Sequence, residues 1–360
     1  MIVLGIDPHK KSHTAVAIEA ATGELLGELT VQTTDAGQAR LLGWARSLSP
    51  ERRFALEDCR HLTGRLERFL IARGEASVRV PPKLMAKTRS SARTRGKSDA
   101  IDAAAVARAA LREPRLPEAR LPGPERELRL LADHRVDLVC ERTRIQGRLR
   151  WHLHDLGVRL EIPPKALGRA CWLARLEEAL AALPAGVQAR IALDLTGRCR
   201  SLSREIDALE REVTQLTAEL APELLELPGC GALTAACLIG ETAGALRFAS
   251  EARFAMHAGV APVPVSSGRS DRYRLNRRGN RQLNCALHRI AITQMRTHEP
   301  ARAFLAGKRA EGKTKREALR CLKRHLARTV WRKLYAAETR REAMLAGTDT
   351  STPPALALAS

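Results

Sequence analysis

Ile-Val-Leu-Gly-Ile-Asp, residues 2–7, begins the stretch that decides the fold of the first third of the chain. Two further runs follow it, His-Thr-Ala-Val-Ala-Ile-Glu at 13–19 and Glu-Leu-Leu-Gly-Glu-Leu-Thr-Val-Gln at 24–32. Short runs rich in Val, Ile and Leu and bounded by turn residues are typical of β-strands. Thr22-Gly23 supplies the turn between the second and third runs. The pattern predicts an antiparallel meander of three strands.

The segments after the meander alternate between helical and strand spacing. They are predicted to be a helix at 35–48, a strand at 53–57, a helix at 62–73 and a strand at 76–81. Asp35 is the expected cap of the first helix, and the Pro-Pro pair at 81–82 is expected to stop the last strand. Three strands followed by helix, strand, helix, strand and helix is the layout of the RNase H-like (RuvC-like) α/β fold. We therefore assign residues 1–113 to a domain of that class.

The rest of the chain is predicted to be mainly α-helical. Four prolines within residues 114–124 indicate a linker. Leucines at helical spacing across 125–222 predict long helices that pair as a coiled coil or hairpin. Residues 223–341 are expected to form a C-terminal domain, and the small, polar residues of 342–360 a disordered tail.

The charge of the chain points to a polyanionic partner. Lys and Arg number 61 against 40 Asp and Glu, which gives a net charge of +21 over 360 residues. Such an excess supplies sequence-independent affinity for phosphates, so double-stranded DNA is the expected partner. Much of the excess lies in residues 267–341, which hold 22 basic and 5 acidic residues. Aromatic residues make up only 3%, which argues against single-strand binding by base stacking.

Several classes of protein are excluded by the apolar and cysteine patterns. The longest uncharged apolar stretch, residues 232–240, is shorter than the roughly 20 residues that span a bilayer. No export signal is seen at the N-terminus, so a cytoplasmic protein is expected. The eight cysteines contain no C-x-x-C pair, which fits neither a disulfide framework nor a zinc ribbon. His9 and His13, Cys59 and His61, and the pair at 152 and 154 are interpreted as structural or surface residues.

Acidic residues are expected to converge at one edge of the predicted sheet. Asp7 ends the first strand and Glu57 the fourth, while Asp99 and Asp102 lie three apart at the start of a helix. Four carboxylates this close would repel one another, and a hard divalent cation, Mg²⁺ or Mn²⁺, relieves that repulsion while it binds a phosphate. Asp58 competes with Glu57 for the second position. Alternation along the strand favours Glu57 but leaves both open.

Two basic segments are candidate nucleic-acid contacts. Upstream of Asp99, the basic residues of a predicted phosphate-binding loop are Arg79, Lys83, Lys87, Arg89, Arg93, Arg95 and Lys97. A second group follows a Pro-rich loop at 259–268 and comprises Arg269, Arg272, Arg274, Arg278 and Arg281. That loop ends in Ser266, Ser267 and Gly268, and a serine surrounded by arginines suits a nucleophile whose attack on phosphate develops negative charge. Either serine fits that role.

The motifs together resemble the bridge-RNA-guided insertion-sequence transposases, also called DEDD-type transposases with a catalytic serine. The N-terminal motifs are Gly5-Ile-Asp7, His9-Lys10, Ala55-Leu-Glu57-Asp-Cys and Gly96-Lys-Ser-Asp99-Ala-Ile-Asp102-Ala. The C-terminal motifs are Leu227-Pro-Gly-Cys-Gly231, Ala258-Gly-Val-Ala-Pro262, Ser266-Ser-Gly268 and Arg278-Gly-Asn-Arg-Gln-Leu283. They stand in the family's order across residues 1–341.

The resemblance implies a RuvC-like domain whose Asp7, Glu57, Asp99 and Asp102 bind Mg²⁺ and a C-terminal transposase domain with a serine nucleophile. By that analogy Ser267, next to Gly268, forms a covalent phosphoserine link to DNA. The resemblance also implies a structured guide RNA, dimers that assemble into a tetramer, and a bacterial, nucleoid-associated protein.

Two other functions compete with this interpretation. One is a RuvC-like nuclease or junction resolvase that hydrolyses DNA with metal-activated water and forms no covalent intermediate. The other is a non-catalytic basic protein that binds DNA or RNA with a steep salt dependence and is indifferent to Mg²⁺. A covalent adduct between DNA and protein separates the transposase from both.

Overall fold

The chain forms two compact units, Met1–Leu121 and Pro122–Ser360, in a computed structural model. The structure describes residues 1–345 and 347, except residues 91–97, 114–115, 117, 122, 266–272 and 277–278. Each unit has its own hydrophobic core.

The first unit is built on a mixed sheet. Its strands are β1 Ile2–Pro8, β2 Ser12–Glu19, β3 Leu25–Gln32, β4 Arg52–Glu57 and β5 Ser77–Val80. The first three form the predicted antiparallel meander, while β4 runs parallel to β1 and β5 parallel to β4. Their order across the sheet is β3-β2-β1-β4-β5. This is the RNase H-like topology that the sequence predicts.

Helices cover both faces of this sheet, so the central strands are buried on both sides. On one face α1 Asp35–Leu48 and α2 Arg60–Ile71 pack against Ile2, Leu4 and Ile6 of β1. On the other face α4 Asp99–Arg112 packs against Val3 of β1 and Ala55 of β4. The alternation of buried side chains along β1 therefore decides which of its residues face α4.

Two local predictions in this unit are wrong. Thr34, and not Asp35, caps α1, because the Thr34 hydroxyl accepts a hydrogen bond from the Gly37 N–H at 3.1 Å. Residues Pro82–Ser90, which were expected to begin a phosphate-binding loop, form helix α3. Pro82 is its first residue, a position that suits proline because the N–H that proline lacks has no helical partner there.

The second unit begins with an antiparallel helical hairpin. Helix α5 Pro124–Asp155 and helix α7 Val187–Leu220 are joined through the shorter α6 Ala170–Ala181. Arg135 contacts Glu210 near one end of the pair, and Asp155 accepts a hydrogen bond from Gln188 near the other, so the two long helices run in opposite directions. The hairpin that the leucine spacing predicts is present, and coiled-coil packing stays a prediction.

The remainder of this unit is helical with a small two-stranded ribbon. The helices are α8 Pro222–Leu225, α9 Ala232–Thr242, α10 Glu251–His257, α11 Arg281–Thr297, α12 Glu299–Ala310 and α13 Lys315–Leu345. The ribbon, β6 Pro262–Pro264 paired antiparallel with β7 Tyr273–Leu275, lies between α10 and α11 in the chain. Because α13 continues to Leu345, the first four residues of the predicted tail, 342–345, are helical.

The described part of the chain contains no helix that is both long enough and apolar enough to cross a membrane. All eight cysteines are free thiols. In the second unit, four of them are buried or half-buried: Cys199, Cys237 and Cys321 on helices and Cys230 on the loop before α9.

Candidate metal centre and nucleophile loop

The ends of two neighbouring parallel strands bring Asp7 and Glu57 together. Ile6 of β1 is paired with Leu56 of β4, so the next residue of each strand, Asp7 and Glu57, lies at the same level of the sheet. Both share the face of Val3 and Ala55, because side chains alternate along a strand. This is the face that α4 covers.

A glycine in β1 allows α4 to approach closely enough to complete the site. A Cβ atom at Gly5 would lie 2.0 Å from the carbonyl oxygen of Ala103 and 2.5 Å from the backbone nitrogen of Ala107. Any larger residue would therefore push α4 away from the strand. The first turn of α4 carries Asp99 and Asp102, which sit one helical turn apart on one face.

The start of α4 is held in place by its cap. The Ser98 hydroxyl accepts a hydrogen bond from the Ile101 N–H at 3.2 Å. Asp102 is buried, with 8% of its surface exposed, whereas the side chain of Asp99 is 58% exposed. The two carboxylates thus approach the site from the protein side and from the solvent side. We call Asp7, Glu57, Asp99 and Asp102 the acidic cluster.

The charges of the other three carboxylates all act on Asp7. Burial raises the pKa of Asp7 from its ordinary 3.8 to about 6, the nearby His9 acts to lower it, and the charges of Asp102, Glu57 and Asp99 raise it further. All three other members of the acidic cluster therefore act on Asp7. A buried carboxylate beside other carboxylates favours a bound cation.

His9 is the site residue that the sequence interpretation missed. Its Nε2 atom lies 3.3 Å from a carboxylate oxygen of Asp7 and 3.2 Å from one of Asp99. The ligand atoms of Asp7, His9 and Asp99 all lie within 4.8 Å of one another. The sequence interpretation assigned His9 to the surface or to a structural role because no completing pair stood at zinc spacing; its side chain is indeed 47% exposed, and the structure adds its proximity to the two carboxylates. The signal in the sequence was the two-residue separation from Asp7, which keeps the side chain on the same side of an extended chain just beyond the end of β1.

The donor set of the acidic cluster fits a hard divalent cation. Carboxylate oxygens are the ligands that Mg²⁺ and Mn²⁺ take in proteins, and an imidazole nitrogen such as that of His9 is better suited to transition metals. Asp7, Asp99 and His9 have the mutual distances that a single ion bridges. These residues therefore fit the metal that the sequence predicts.

Glu57 and Asp58 have different surroundings. Glu57 acts electrostatically on Asp7, whereas Asp58 acts on Arg79, whose pKa is raised above all by hydrogen bonds to Glu67. Arg79 holds Glu67 in a bidentate pair with both N···O distances at 2.6 Å. Glu57 thus lies on the acidic-cluster side of β4 as alternation predicts, and its catalytic role stays a prediction.

The predicted basic contacts are only partly within the described residues. Lys83 is exposed on α3, and Lys87 and Arg89 lie on the same helix, with their side chains outside the described part. Arg274 is exposed on β7, and Arg281 is the exposed first residue of α11. The others, like Ser266 and Gly268, lie outside the described residues: Arg93, Arg95, Lys97, Ser267, Arg269, Arg272 and Arg278.

Three asparagines spaced four residues apart hold together the chain segments before and after the predicted serine-containing loop at 259–268. We call Asn276, Asn280 and Asn284 the asparagine clamp. The Asn276 amide donates to the Met256 carbonyl at 2.8 Å, and the Asn280 backbone N–H donates to the carbonyl of His257 at 2.6 Å. The Asn284 amide donates to the carbonyls of Ala258 at 3.2 Å and Gly259 at 2.9 Å.

Close packing and further polar groups support the clamp. A Cβ atom at Gly279 would lie 2.2 Å from the Cα of Gly259, so the outgoing chain runs directly against the incoming one. The Asn280 amide donates to buried Glu241 at 2.5 Å, and the ammonium group of Lys323 donates to the Asn284 side-chain oxygen. Burial lowers the pKa of Lys323. Nothing in the sequence indicated which of these groups would meet.

Comparison with known proteins assigns this architecture to a family. Residues 4–157 match a DEDD, IS110-type family model described as Transposase, and residues 221–306 match one described as Transposase IS116/IS110/IS902 family. The 44.8 kDa protein of insertion element IS116 from Streptomyces clavuligerus is 30% identical over 378 residues, which cover 92% of this chain and 94% of that protein. The chain belongs to the IS110/IS116 transposase family.

Other relatives of this transposase agree. The 42 kDa protein of insertion element IS900 from Mycobacterium paratuberculosis is 27% identical, over 91% of the transposase and 94% of that protein. Among solved structures, T. thermophilus RuvC in complex with Holliday junction substrate matches with a TM-score of 0.27 at 16% identity, covering 33% of the transposase and 99% of that chain. The fold assignment rests on the strand order of the first unit.

The two family matches fall on the two candidate sites of the transposase. The first includes every residue of the acidic cluster, and the second includes residues 259–268 and the asparagine clamp. The protein is therefore a DNA transposase.

Proposed function

We propose that the transposase cuts and rejoins DNA through a serine nucleophile, Ser267, in a reaction that depends on a divalent cation held by Asp7, Glu57, Asp99 and Asp102. The proposed metal site is supported by the convergence of these carboxylates on Asp7. Burial raises the pKa of Asp7 to about 6, His9 acts to lower it, and the acidic neighbours raise it. The serine part is supported by the resemblance and by the family match over residues 221–306.

The members of the acidic cluster differ in burial, and we assign them different positions around the cation. When bound, Mg²⁺ or Mn²⁺ supplies positive charge to the phosphate oxygens and to the charge that develops on them during transfer. Buried Asp7 and Asp102 hold the inner side of the site, while exposed Asp99 lies on the solvent side. His9 lies between Asp7 and Asp99 and, when protonated, neutralises part of their charge.

The serine step is a transesterification. The Ser267 hydroxyl loses its proton, its oxygen bonds to the scissile phosphorus, and the bond from phosphorus to the sugar oxygen breaks. The leaving sugar oxygen gains a proton and becomes a hydroxyl, so the phosphodiester energy is kept in the phosphoserine. Attack on that phosphoserine by a sugar hydroxyl of another strand releases the serine and joins the strands.

A covalent-adduct assay tests this proposal. Purified transposase is incubated with Mg²⁺, its co-purifying RNA and labelled DNA that spans the element ends, then denatured and examined for label on the protein. We expect an adduct that is absent in Ser267→Ala and in Asp102→Asn and present in Ser266→Ala. Cleaved DNA without an adduct would replace the serine nucleophile with hydrolysis, and an adduct that survives in Ser267→Ala but not in Ser266→Ala would move the nucleophile to Ser266.

We also propose that an element-encoded structured RNA guides the reaction and that the transposase works as a dimer or tetramer. Both proposals rest on the family resemblance. Nuclease digestion of the co-purifying RNA is expected to abolish adduct formation at the element ends, and added RNA transcript is expected to restore it. Light scattering of the complex with RNA gives the subunit number, and a monomer that is fully active would contradict the assembly.

A further inference from the structure

Helix α13 carries a regular row of arginines. Its members are spaced four residues apart: Arg316, Arg320, Arg324, Arg328 and Arg332. Successive members are about 6 Å apart along the helix axis, so the row extends over about 24 Å. We call this row the arginine ridge.

The arginine ridge faces away from the core of its own unit. The buried residues of α13 form a parallel row that starts at Ala318 and continues through Leu322, Leu326, Val330 and Leu334. Each arginine precedes a member of that row by two residues, which is a rotation of about 200° around the helix. Four of the five arginines are exposed, and Arg324 is half-buried.

One carboxylate forms salt bridges with three arginines of the ridge. Glu251, in the first turn of α10, lies 2.7 Å from Arg328, 3.4 Å from Arg332 and 3.9 Å from Arg324. Three guanidinium groups around one carboxylate leave a local excess of positive charge. The buried Nη1 atom of Arg324 has no hydrogen-bond partner among the described residues.

At the Arg316 end of the ridge, the positive charge is compensated by carboxylates still less. Arg316 and Arg320 are exposed, and within the described ranges neither forms a salt bridge. The nearest carboxylate in sequence, Glu317, accepts hydrogen bonds from the backbone N–H and hydroxyl of Thr314 at 2.9 and 2.7 Å. Like charges four residues apart destabilise a helix, so the ridge is unfavourable for the isolated protein. A polyanion removes that cost.

We propose that the arginine ridge binds consecutive phosphates of one nucleic-acid strand, and that Glu251 occupies its Arg324 to Arg332 end until phosphates replace it. The ligand is the phosphodiester backbone, because exposed guanidinium groups in a row recognise phosphates without reading bases. Five arginines spaced about 6 Å apart can contact about five consecutive phosphates of one strand. The proposal rests on the transposase acting on nucleic acid and adds a site in the second unit. Duplex DNA and structured RNA both offer this backbone.

Salt-dependent binding without catalysis tests the ridge. Affinities of the full chain for a labelled DNA duplex and for a labelled RNA hairpin are measured in EDTA between 0.05 and 0.3 M salt, on the order of the range where phosphate contacts dominate. Removal of two contacts in Arg316→Gln/Arg320→Gln is expected to reduce the log–log salt slope for DNA by about 1.8 and the affinity at 0.1 M by up to about 60-fold. The matched control is Arg204→Gln/Arg211→Gln, which removes the same charge from exposed positions of α7.

The substitution Glu251→Gln gives the opposite and more discriminating result. Loss of this carboxylate frees three arginines from competition, so binding is expected to tighten by up to about eightfold at 0.1 M salt, the value of one phosphate contact. Glu299→Gln, which removes a carboxylate paired with Arg302 on α12, changes the net charge equally and is the control. Circular dichroism melts first establish that each variant folds. If Glu251→Gln does not fold, the Arg316→Gln/Arg320→Gln variant, whose two arginines are exposed, decides whether the ridge binds phosphates.

Each outcome has a definite meaning. A slope reduced for DNA alone, for RNA alone or for both supports the ridge and identifies the strand that it holds. Unchanged slopes with both ligands, an equal loss in the α7 control, or weaker binding in a folded Glu251→Gln variant would overturn it. Because binding is measured in EDTA, failure of the serine chemistry leaves this result unaffected.

Discussion

The substitution Asp7→Asn is expected to stabilise the metal-free transposase while it abolishes activity. Asp7 is buried, with 6% of its surface exposed, and its pKa in the folded chain is about 6 against an ordinary value of 3.8. A pKa difference of that size corresponds to about 3 kcal/mol, because each pKa unit is worth about 1.4 kcal/mol. The folded state therefore binds the proton more tightly than the unfolded state does. The cost of the charged carboxylate is absent below pH 3.8, develops as the pH rises to about 6, and is complete above it.

The assay compares free energies of unfolding at two pH values in EDTA. At pH 7.5 the uncharged asparagine is expected to raise the free energy of unfolding by up to about 3 kcal/mol, and near pH 4 by little. Hydrogen exchange of peptides from β1 reports the first unit separately from the second. Glu28→Gln, an exposed carboxylate on β3, is the control, and its effect is expected within about 0.5 kcal/mol.

In the presence of a divalent metal, the wild-type transposase is expected to become more stable than the Asp7→Asn variant. Wild-type transposase is expected to gain protection in β1 on addition of Mn²⁺ or Mg²⁺, because a ligand that binds only the folded state stabilises it, and Asp7→Asn is expected to gain less. A destabilised Asp7→Asn variant at pH 7.5 in EDTA, or an equal gain at both pH values, would refute the electrostatic account of the acidic cluster.

Three further predictions concern single positions. Glu57→Gln is expected to reduce metal-dependent DNA cleavage roughly 100-fold or more, and Asp58→Asn to leave it nearly unchanged; a cleavage time course that ranks them the other way would exchange their roles. Gly5→Ala displaces α4 and is expected to lower the free energy of unfolding by about 1–3 kcal/mol and to abolish DNA cleavage. A melting temperature equal to that of the wild type, with full cleavage, would contradict the close approach of α4 to β1. Asn284→Ala is expected to lower the covalent-adduct yield about tenfold through lost hydrogen bonds with metal binding by calorimetry unchanged; loss of metal binding as well would point to general unfolding.

Local patterning decided much of the first unit. The apolar run at 2–7 and the two that follow specify a meander, because strand formation and turns depend on residues close in sequence. Alternation along β4 also placed Glu57 on the face of Asp7, since a period of two is a property of the strand itself. The Pro-Pro pair at 81–82 stops the last strand as predicted, because β5 ends at Val80, but the same pattern did not indicate that Pro82 begins a helix.

Contacts between distant segments required the tertiary structure. The close approach of α4 at Gly5 decides how near Asp99 and Asp102 come to Asp7, and no spacing in the sequence specifies that distance. The position of His9 between two carboxylates and the contact of Glu251 with three arginines of α13 depend in the same way on packing.

By itself, then, the sequence of this transposase determined its strand pattern, its basic character and its family motifs, because those follow from neighbouring residues and composition. The tertiary structure alone decided how closely the acidic cluster is packed, the position of His9 beside it, the asparagine clamp and the surroundings of the arginine ridge. The physical reason is that each depends on backbone register and on how closely elements far apart in the chain can pack.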